Sequence, residues 1–433
     1  MRVAPGTKAR GGRGPDPAVT AAGWRRSIPV VRWPALAGPG LAVAAGALYL
    51  ATGQDHGAAA PLSDDPFVPL ARAFLAGRLD LIQSMPWLEL VPRAGGGWYV
   101  PFPPLPALLL VPIVWAFPTF WLDTGPPCAV AGAVAVWLVW RVMGQVGLAF
   151  RPRLALAAGF AFGSEFVWVA ATGGPHLWVQ TLSATLLLGA LTLALDGRWP
   201  VLAGFLFAGA SLGCRLPVAF ALPLFVGLYG RRGWPLRLPR GGEARALAAF
   251  AMGMLPVAIG VGWYNLARFG SPLEFGYGLI VGADGASVLS EPWFTHGIDS
   301  PLYLPRGLFA LFLQPFAFAT RFPWLQPTWM GEAVTFTMPV VFALWWARSR
   351  ERLVVLAWLA LVGVMLPDLM HGTPGFAQYG YRFVVDALPI VWILLAWVVR
   401  ERGLTRGIAV ALALGVAAQL YGLWTIWGLG FVS

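Results

Sequence analysis

Charge is scarce in this chain of 433 residues. Asp, Glu, Lys and Arg together make up 11% of it, where a water-soluble domain of ordinary composition carries about a quarter. No long polar stretch is left over for a separate soluble domain. Lysine is nearly missing: Lys8 stands alone, and every other basic residue is arginine. The two cysteines, Cys128 and Cys214, both lie inside apolar segments. That excludes a disulfide framework and leaves thiols packed as small hydrophobes. Histidine is limited to His56, His176, His296 and His371, and no pair has the His-x-x-x-His spacing of a helical metal site. A cleavable signal is also lacking, because the first apolar run, from near Leu36, is long and has no clear small-residue cleavage site. Gly95-Gly96-Gly97 has no strand before it and no Lys-Ser/Thr after it, so it is a flexible loop and not a phosphate cradle.

Apolar sequence fills the space that charge vacates. Hydrophobic residues reach 58% and the mean hydropathy is +0.69. Runs of about 17–25 apolar residues, long enough to span a hydrocarbon core, recur from Leu41 to the C-terminus. The 23 tryptophans suit many interfacial positions. The net charge of +11 does not point to nucleic acid, because most of it sits in short segments between apolar runs, in the positive-inside pattern. The expectation is an all-α polytopic protein of a bacterial plasma (inner) membrane, with membrane lipid as one partner and nucleic acid as none. Residues 1–34, rich in Arg, Gly and Pro, form an expected disordered cytoplasmic segment. Residues 35–433 form a single transmembrane domain.

The arginines thread it. Arg2 to Arg32, Arg141/Arg151/Arg153, Arg198, Arg231 to Arg245, Arg348 to Arg352 and Arg400 to Arg406 belong to the cytoplasmic side, so the chain crosses an even number of times between clusters. Parity then removes one of the two apolar stretches before Arg141. Phe102–Phe120 is crowded by Pro101, Pro103, Pro104, Pro106 and Pro112 and is expected to lie along or dip into the outer face, where its irregular backbone must be covered or wet. The same rule splits Val201–Tyr229 into two short helices with an outer turn at Gly213, Cys214, Arg215 and Pro217, and makes Phe309–Phe318 non-crossing. The count is about eleven crossings plus outer-face juxtamembrane helices. It places the N-terminus inside, the C-terminus outside, and outer loops at 53–125, 267–328 and 367–382.

Polar groups concentrate on that outer face. The first loop holds Asp55, Asp64, Asp65, Asp80 and Glu89, a later one Glu274, Asp284, Glu291 and Asp299, and all four histidines fall outside. Within the first loop, Phe67, Leu70, Ala71, Phe74 and Leu75 make an amphipathic stripe. Asp65 is suited to the N-cap, Pro66 to the first helical position and Gly77 to the C-terminal cap. Such a helix would lie flat on the membrane interface. Glu165 is expected inside an apolar helix, Phe162–Val169, facing the bundle interior.

Four segments carry a family resemblance. Asp64-Asp65-Pro66-Phe67-Val68-Pro69-Leu70-Ala71-Arg72-Ala73-Phe74-Leu75-Ala76-Gly77-Arg78-Leu79-Asp80-Leu81 resembles the first outer loop of the C-type (GT-C) membrane glycosyltransferases, in the bacterial branch related to protein O-mannosyltransferases and lipid A aminoarabinose transferases. Trp98-Tyr99-Val100-Pro101-Phe102-Pro103-Pro104 resembles the Pro-Pro segment that follows it. The run from Tyr264 through Arg268 and Glu274 to Tyr277, and Tyr381-Arg382-Phe383 with Pro389, are similar to further stretches of that branch. The resemblance implies a GT-C-like fold and an inverting transfer of sugar, on the outer leaflet, from a polyprenyl-phosphate donor to an acceptor glycan, lipid or protein. It makes Asp64 and Asp65 the catalytic acids, as base or metal ligand. It makes Arg215 and Arg382 the donor-phosphate clamp, and Asp80, Tyr99, Arg268 and Glu274 substrate contacts. The chemistry agrees: an acceptor hydroxyl needs a carboxylate to take its proton, and a leaving phosphate needs cations.

Each residue also has a structural reading. Asp65 caps its helix, Asp80 sits at a solvated helix end, Arg215 and Arg382 snorkel to headgroups, and Arg268 pairs with Glu274. No cofactor is required by the residues, and a divalent ion on the Asp pair stays open. A non-enzymatic lipid-carrier flippase or transporter is the alternative class. The chain lacks the internal repeats and mid-membrane polar groups typical of transporters.

Overall fold

The computed structural model describes residues 36–53, 65–83, 89–118, 124–230, 240–282, 285–376 and 378–430. Asp64, His56, Asp284 and the segment 1–34 lie outside the described residues. The chain is mainly helical. The first half contains α1 (Ala37–Gly53), α2 (Phe67–Leu75), α3 (Leu105–Ala116), α4 (Gly125–Gln145), α5 (Phe150–Phe162), α6 (Phe166–Thr172), α7 (Pro175–Asp196), α8 (Pro200–Ser211) and α9 (Leu222–Tyr229). The second half contains α10 (Gly242–Phe269), α11 (Leu304–Phe312), α12 (Val334–Thr337), α13 (Arg352–Met370), α14 (Leu388–Arg402) and α15 (Arg406–Leu423). Two antiparallel ribbons qualify the all-α expectation: β1 (Val91–Pro92) with β2 (Trp98–Tyr99), and β3 (Ala317–Phe318) with β4 (Leu325–Gln326).

Among the described residues five helices are long and apolar enough to cross a bilayer: α4, α7, α10, α13 and Arg406–Gly428, which extends α15. A sixth span results if α5 and α6, bent by 50°, count as one. The expected eleven is therefore not reached by length and composition; several of the other expected crossings fall on shorter apolar helices. The surface supports membrane residence. On α10, Met252, Leu255, Ile259, Trp263 and Leu266 are all exposed at spacings of three and four, one apolar face with no protein over it. By contrast, α7 and α14 are apolar all round and buried, forming the centre of the bundle.

The proline-rich stretch behaves as its composition demands. Only Leu105–Ala116 is helical, with Pro112 inside it, a length of about 18 Å against a hydrocarbon core of about 30 Å. Similarly, only nine residues are helical in α11. The Val201–Tyr229 run breaks after Ser211 and restarts as a 3-10 turn at Leu216, with Pro217 at its start. Two expectations need correction. The helix expected through Glu165 is interrupted there, between α5 and α6. The stripe of α2 does not face lipid either: Phe67, Leu70 and Ala71 are fully buried in a small core with Phe102, Leu110 and Trp178.

Small residues set the closest helix contacts. A Cβ on Gly204 of α8 would lie 1.9 Å from the Phe250 carbonyl oxygen, and one on Gly253 of α10 would lie 1.9 Å from that of Val201. Backbones meet directly here, as membrane helix pairs do when small residues allow it. A Gly253→Val variant is expected to force α8 and α10 apart and to lower the thermal midpoint in detergent by more than 5 °C, roughly the effect of a backbone clash in a packed core. Gly260→Ala, in open space, should leave the midpoint within error; an equal loss in both variants would show that the contact is not close.

Candidate functional site

The helix break after Ser211 positions a cation. Arg215 has extended backbone, with φ −129° and ψ 102°, so its side chain leaves the helical path and reaches two distant carboxylates. Its Nε donates to Asp386 Oδ2 at 2.7 Å and its Nη2 to Asp368 Oδ1 at 2.9 Å. Asp368 lies in the last turn of α13, and Asp386 ends a 3-10 turn, Arg382–Asp386, ahead of α14. Both aspartates are buried, Asp386 completely. The two carboxyls are within hydrogen-bond reach of each other, and burial raises Asp386 above the usual carboxylate range while Arg215 opposes the rise. Arg215 spends Nε and Nη2 on this junction; its Nη1 makes no protein hydrogen bond among the described residues.

A second guanidinium faces the first. Arg382 is 8% exposed, its Nε is buried without a partner, and no acid stands in ion-pair range of it among the described residues. Burial first, and the Arg215 charge second, push it down to about 10; Glu89, Asp386 and Asp368 act in the opposite direction. It stays protonated at neutral pH. Phe383 is the hub between these groups. The Cζ atoms of Arg215 and Arg382 lie 5.5 and 5.4 Å from its ring centroid, and the rings of Tyr381 and His371 lie at 5.7 and 6.1 Å. His176, at the start of α7, feels Arg382, Arg215 and His371 and packs edge-on against Phe102 at 5.1 Å. Phe102 in turn contacts Phe67 at 5.8 Å, which links α2 to the cluster.

The expected site residues divide. Arg215 and Arg382 come together. Asp65 Oδ1 accepts from the Phe67 amide at 2.9 Å, so it performs the capping duty its sequence context suggests. Asp80 is buried and binds Arg93 at 2.8 Å, with Arg78 at 3.8 Å; it ties down the β1–β2 ribbon. Tyr99 packs edge-on against Phe269 at 5.7 Å. Arg268 is buried and donates to Val100 O, to Tyr264 O at 3.3 Å and to Asn265 Oδ1 at 2.9 Å. Glu274 accepts from the Gly276 amide at 2.7 Å. Tyr99 and Arg268 join the ribbon side to α10, while Asp80 and Glu274 bond within their own loops. Asp368, Asp386 and His371 were missed as site members. Asp386 had a signal, since it lies four residues after Arg382 at a turn.

A second carboxylate pair lies beneath. Glu165, at the break between α5 and α6, and Glu332 are both fully buried. The Thr337 hydroxyl donates to Glu165. Glu332 accepts from the amides of Thr328 at 2.7 Å and Gly380 at 3.4 Å. Among the described residues no group of three or more His, Cys, Asp or Glu side chains is placed to hold a metal ion.

Burial raises Glu332 to about 7, opposed by the two amides and helped by Glu165. Because the folded value lies above the unfolded one, the folded state binds the extra proton. Stability is full below about pH 4.5 and falls as pH rises to about 7, by up to about 3 kcal/mol. Glu332→Gln should flatten that part of the midpoint-versus-pH curve in detergent; an unchanged slope would rule out the glutamate as its source.

No family model matches the chain, and no curated protein matches it in sequence. Among solved structures it is similar to the apo crystal structure of the oligosaccharyltransferase of Archaeoglobus fulgidus, with a TM-score of 0.52 at 15% identity, covering 92% of this chain and 56% of that one. The chain thus corresponds to little more than half of that protein's length. That protein belongs to a different family from the branch whose motifs the sequence resembles. At this identity the likeness is one of fold, and it extends over nearly all of the present chain.

Proposed function

We propose that this protein is a membrane glycosyltransferase that moves a sugar from a polyprenyl-phosphate donor to an acceptor at the outer membrane face. The observation that carries the reading is Arg382: a buried guanidinium with an unpartnered Nε, beside a second guanidinium whose Nη1 edge is free of protein partners. Leaving such a charge unpaired costs several kcal/mol unless a ligand supplies the anion. Two planar guanidiniums bordering one ring, Phe383, suit a phosphate. Arg215 is already neutralised and held in plane by Asp368 and Asp386, so it adds direction; Arg382 adds net charge.

The fold likeness to an oligosaccharyltransferase supports the transferase class in general terms. The inverting mechanism, and Asp64 and Asp65 as the acidic element on the acceptor side, rest on the motif resemblance; about eleven crossings, with the N-terminus inside and the C-terminus outside, rest on the arginine pattern. Since Asp65 Oδ1 is engaged by the Phe67 amide, Asp64 is the first candidate for the base. Tyr99 and Arg268 hold the ribbon side against α10, Asp80 and Glu274 fix their own loops, and all four act on substrate through that support.

Binding and transfer are measured separately. Arg382→Gln should weaken binding of a short polyprenyl phosphate about tenfold to a hundredfold, the worth of a charge-assisted pair, with the thermal midpoint kept or raised. Undiminished binding would remove the clamp. Asp64→Asn should abolish transfer of radiolabelled sugar from lipid to acceptor in membranes without weakening phosphate binding, whereas Asp65→Asn should mainly lower stability by about 1 kcal/mol. If lipid-linked sugar crosses reconstituted vesicles and is never released from its carrier, the flippase alternative is correct.

A further inference from the structure

We infer that His371 is a third member of the anion site and that it takes up a proton as the bound phosphate passes from the diester donor to the monoester leaving group. This rests on the proposed donor chemistry and assigns a residue that neither the motifs nor the fold likeness supplies.

The position comes from packing. His371 follows α13 directly and is half-buried, with its ring edge-on to Phe294 at 5.7 Å and to Phe383 at 6.1 Å. Phe383 is the ring around which both guanidiniums sit. One edge of the imidazole is anchored: Nδ1 is 3.0 Å from the Thr373 carbonyl oxygen and 3.2 Å from its amide nitrogen. Nε2 has no partner among the described residues and is left for a ligand. In the cationic form both nitrogens donate, Nδ1 to the Thr373 carbonyl and Nε2 outward.

The charged and titratable groups about His371 are Asp299, whose backbone bridges to it, Arg215 and Arg382 across the hub, His176 at the start of α7, and Arg306 of α11, which donates to the neighbouring Gly372 carbonyl. Burial is the largest influence and lowers its proton affinity. The Thr373 carbonyl and Asp299 raise it, and the two guanidiniums lower it. Without ligand it is therefore neutral at physiological pH.

Charge counting gives the role. Two buried carboxyls within hydrogen-bond reach of each other cannot both ionise and hold one proton between them, so Asp368 and Asp386 together carry one negative charge, which balances Arg215 and leaves one net positive charge on Arg382. A polyprenyl-phosphate sugar is a diester carrying one negative charge, and Arg382 balances it. During transfer a bond forms between the acceptor oxygen and the anomeric carbon. The bond from that carbon to the phosphate oxygen breaks, and its electron pair stays on that oxygen. The phosphate becomes a monoester carrying close to two negative charges. The acceptor hydroxyl gives its proton to the base on the acceptor side, which passes it to solvent, and His371 takes one proton up from solvent, so the charge of the site stays constant. Because the imidazolium interacts with charge that appears only as the bond breaks, it favours the transition state over bound donor.

The test compares two ligands at pH 8, where the free monoester is already dianionic. Calorimetry on the detergent-solubilised protein, in two buffers of different ionisation enthalpy, should show uptake of about one proton on binding farnesyl phosphate and none on binding its methyl diester. In His371→Gln the uptake should vanish and affinity for the monoester should fall about tenfold, with diester affinity unchanged. Uptake that persists in His371→Gln would place the proton on the phosphate and overturn the inference, as would equal losses for both ligands. Arg382→Gln should weaken both ligands. If it weakens neither, the phosphate site itself is wrong, and that failure is distinct from failure at His371.

Discussion

A permanent cation buried between apolar helices has to be answered by anions from elsewhere in the chain, and Arg215 is answered twice. Its bonds to Asp368 and Asp386 join three segments: the broken helix at Ser211–Leu216, the end of α13, and the turn before α14. Removing one carboxyl takes away one of the two acceptors that orient the guanidinium, and removing both would strand its charge in a medium that cannot solvate it. The break after α8, which looks like a lost opportunity for a continuous helix, is what lets Arg215 turn toward these partners. Pro217 enforces it by denying the next turn a backbone donor.

Arg382 makes sense only against that junction. Both arginines border the Phe383 ring, yet one is saturated with carboxylate and the other has none within ion-pair range among the described residues. A site built for stability alone would have paired both. The asymmetry separates orientation from charge: a neutral, rigid donor on one side and a net positive one on the other. His371 extends the same arrangement, since its ring is fixed by Thr373 while its charge can change. The supporting layer is structural in a plain sense. Asp80 on Arg93, Arg268 on Val100 and Glu274 on Gly276 spend their polar groups on the protein. Phe67 and Phe102 hold α2 against the start of α7.

Much of the chain was legible from its residues. Scarcity of charge and the length of the apolar runs determined a polytopic helical membrane protein. Proline crowding at 101–112 and at Pro217 located the short α3 and the broken α8, because a missing amide and a fixed φ act locally whatever the fold. The capped helix Phe67–Leu75 was readable for the same reason: cap, stripe and Gly77 are all neighbours in sequence. Arg215 and Arg382 were readable as charges in places where charge is costly.

What those charges do was decided by the tertiary structure. No local pattern tells that Arg215 meets acids more than 150 positions away, or that Arg382 has none in ion-pair range among the described residues. Nor could the stripe on α2 reveal that its partner is α3 and not lipid, since both are apolar and periodicity does not distinguish them. Glu165 was read as helical because its neighbours are, but the helix bends there by 50°, where its carboxylate finds Thr337 from another segment. The sequence by itself determined where the chain is apolar, where it must turn and which charges are out of place. Only packing determined which of those charges are neutralised and which is left to bind, because ion pairing depends on distance in space and not on spacing along the chain.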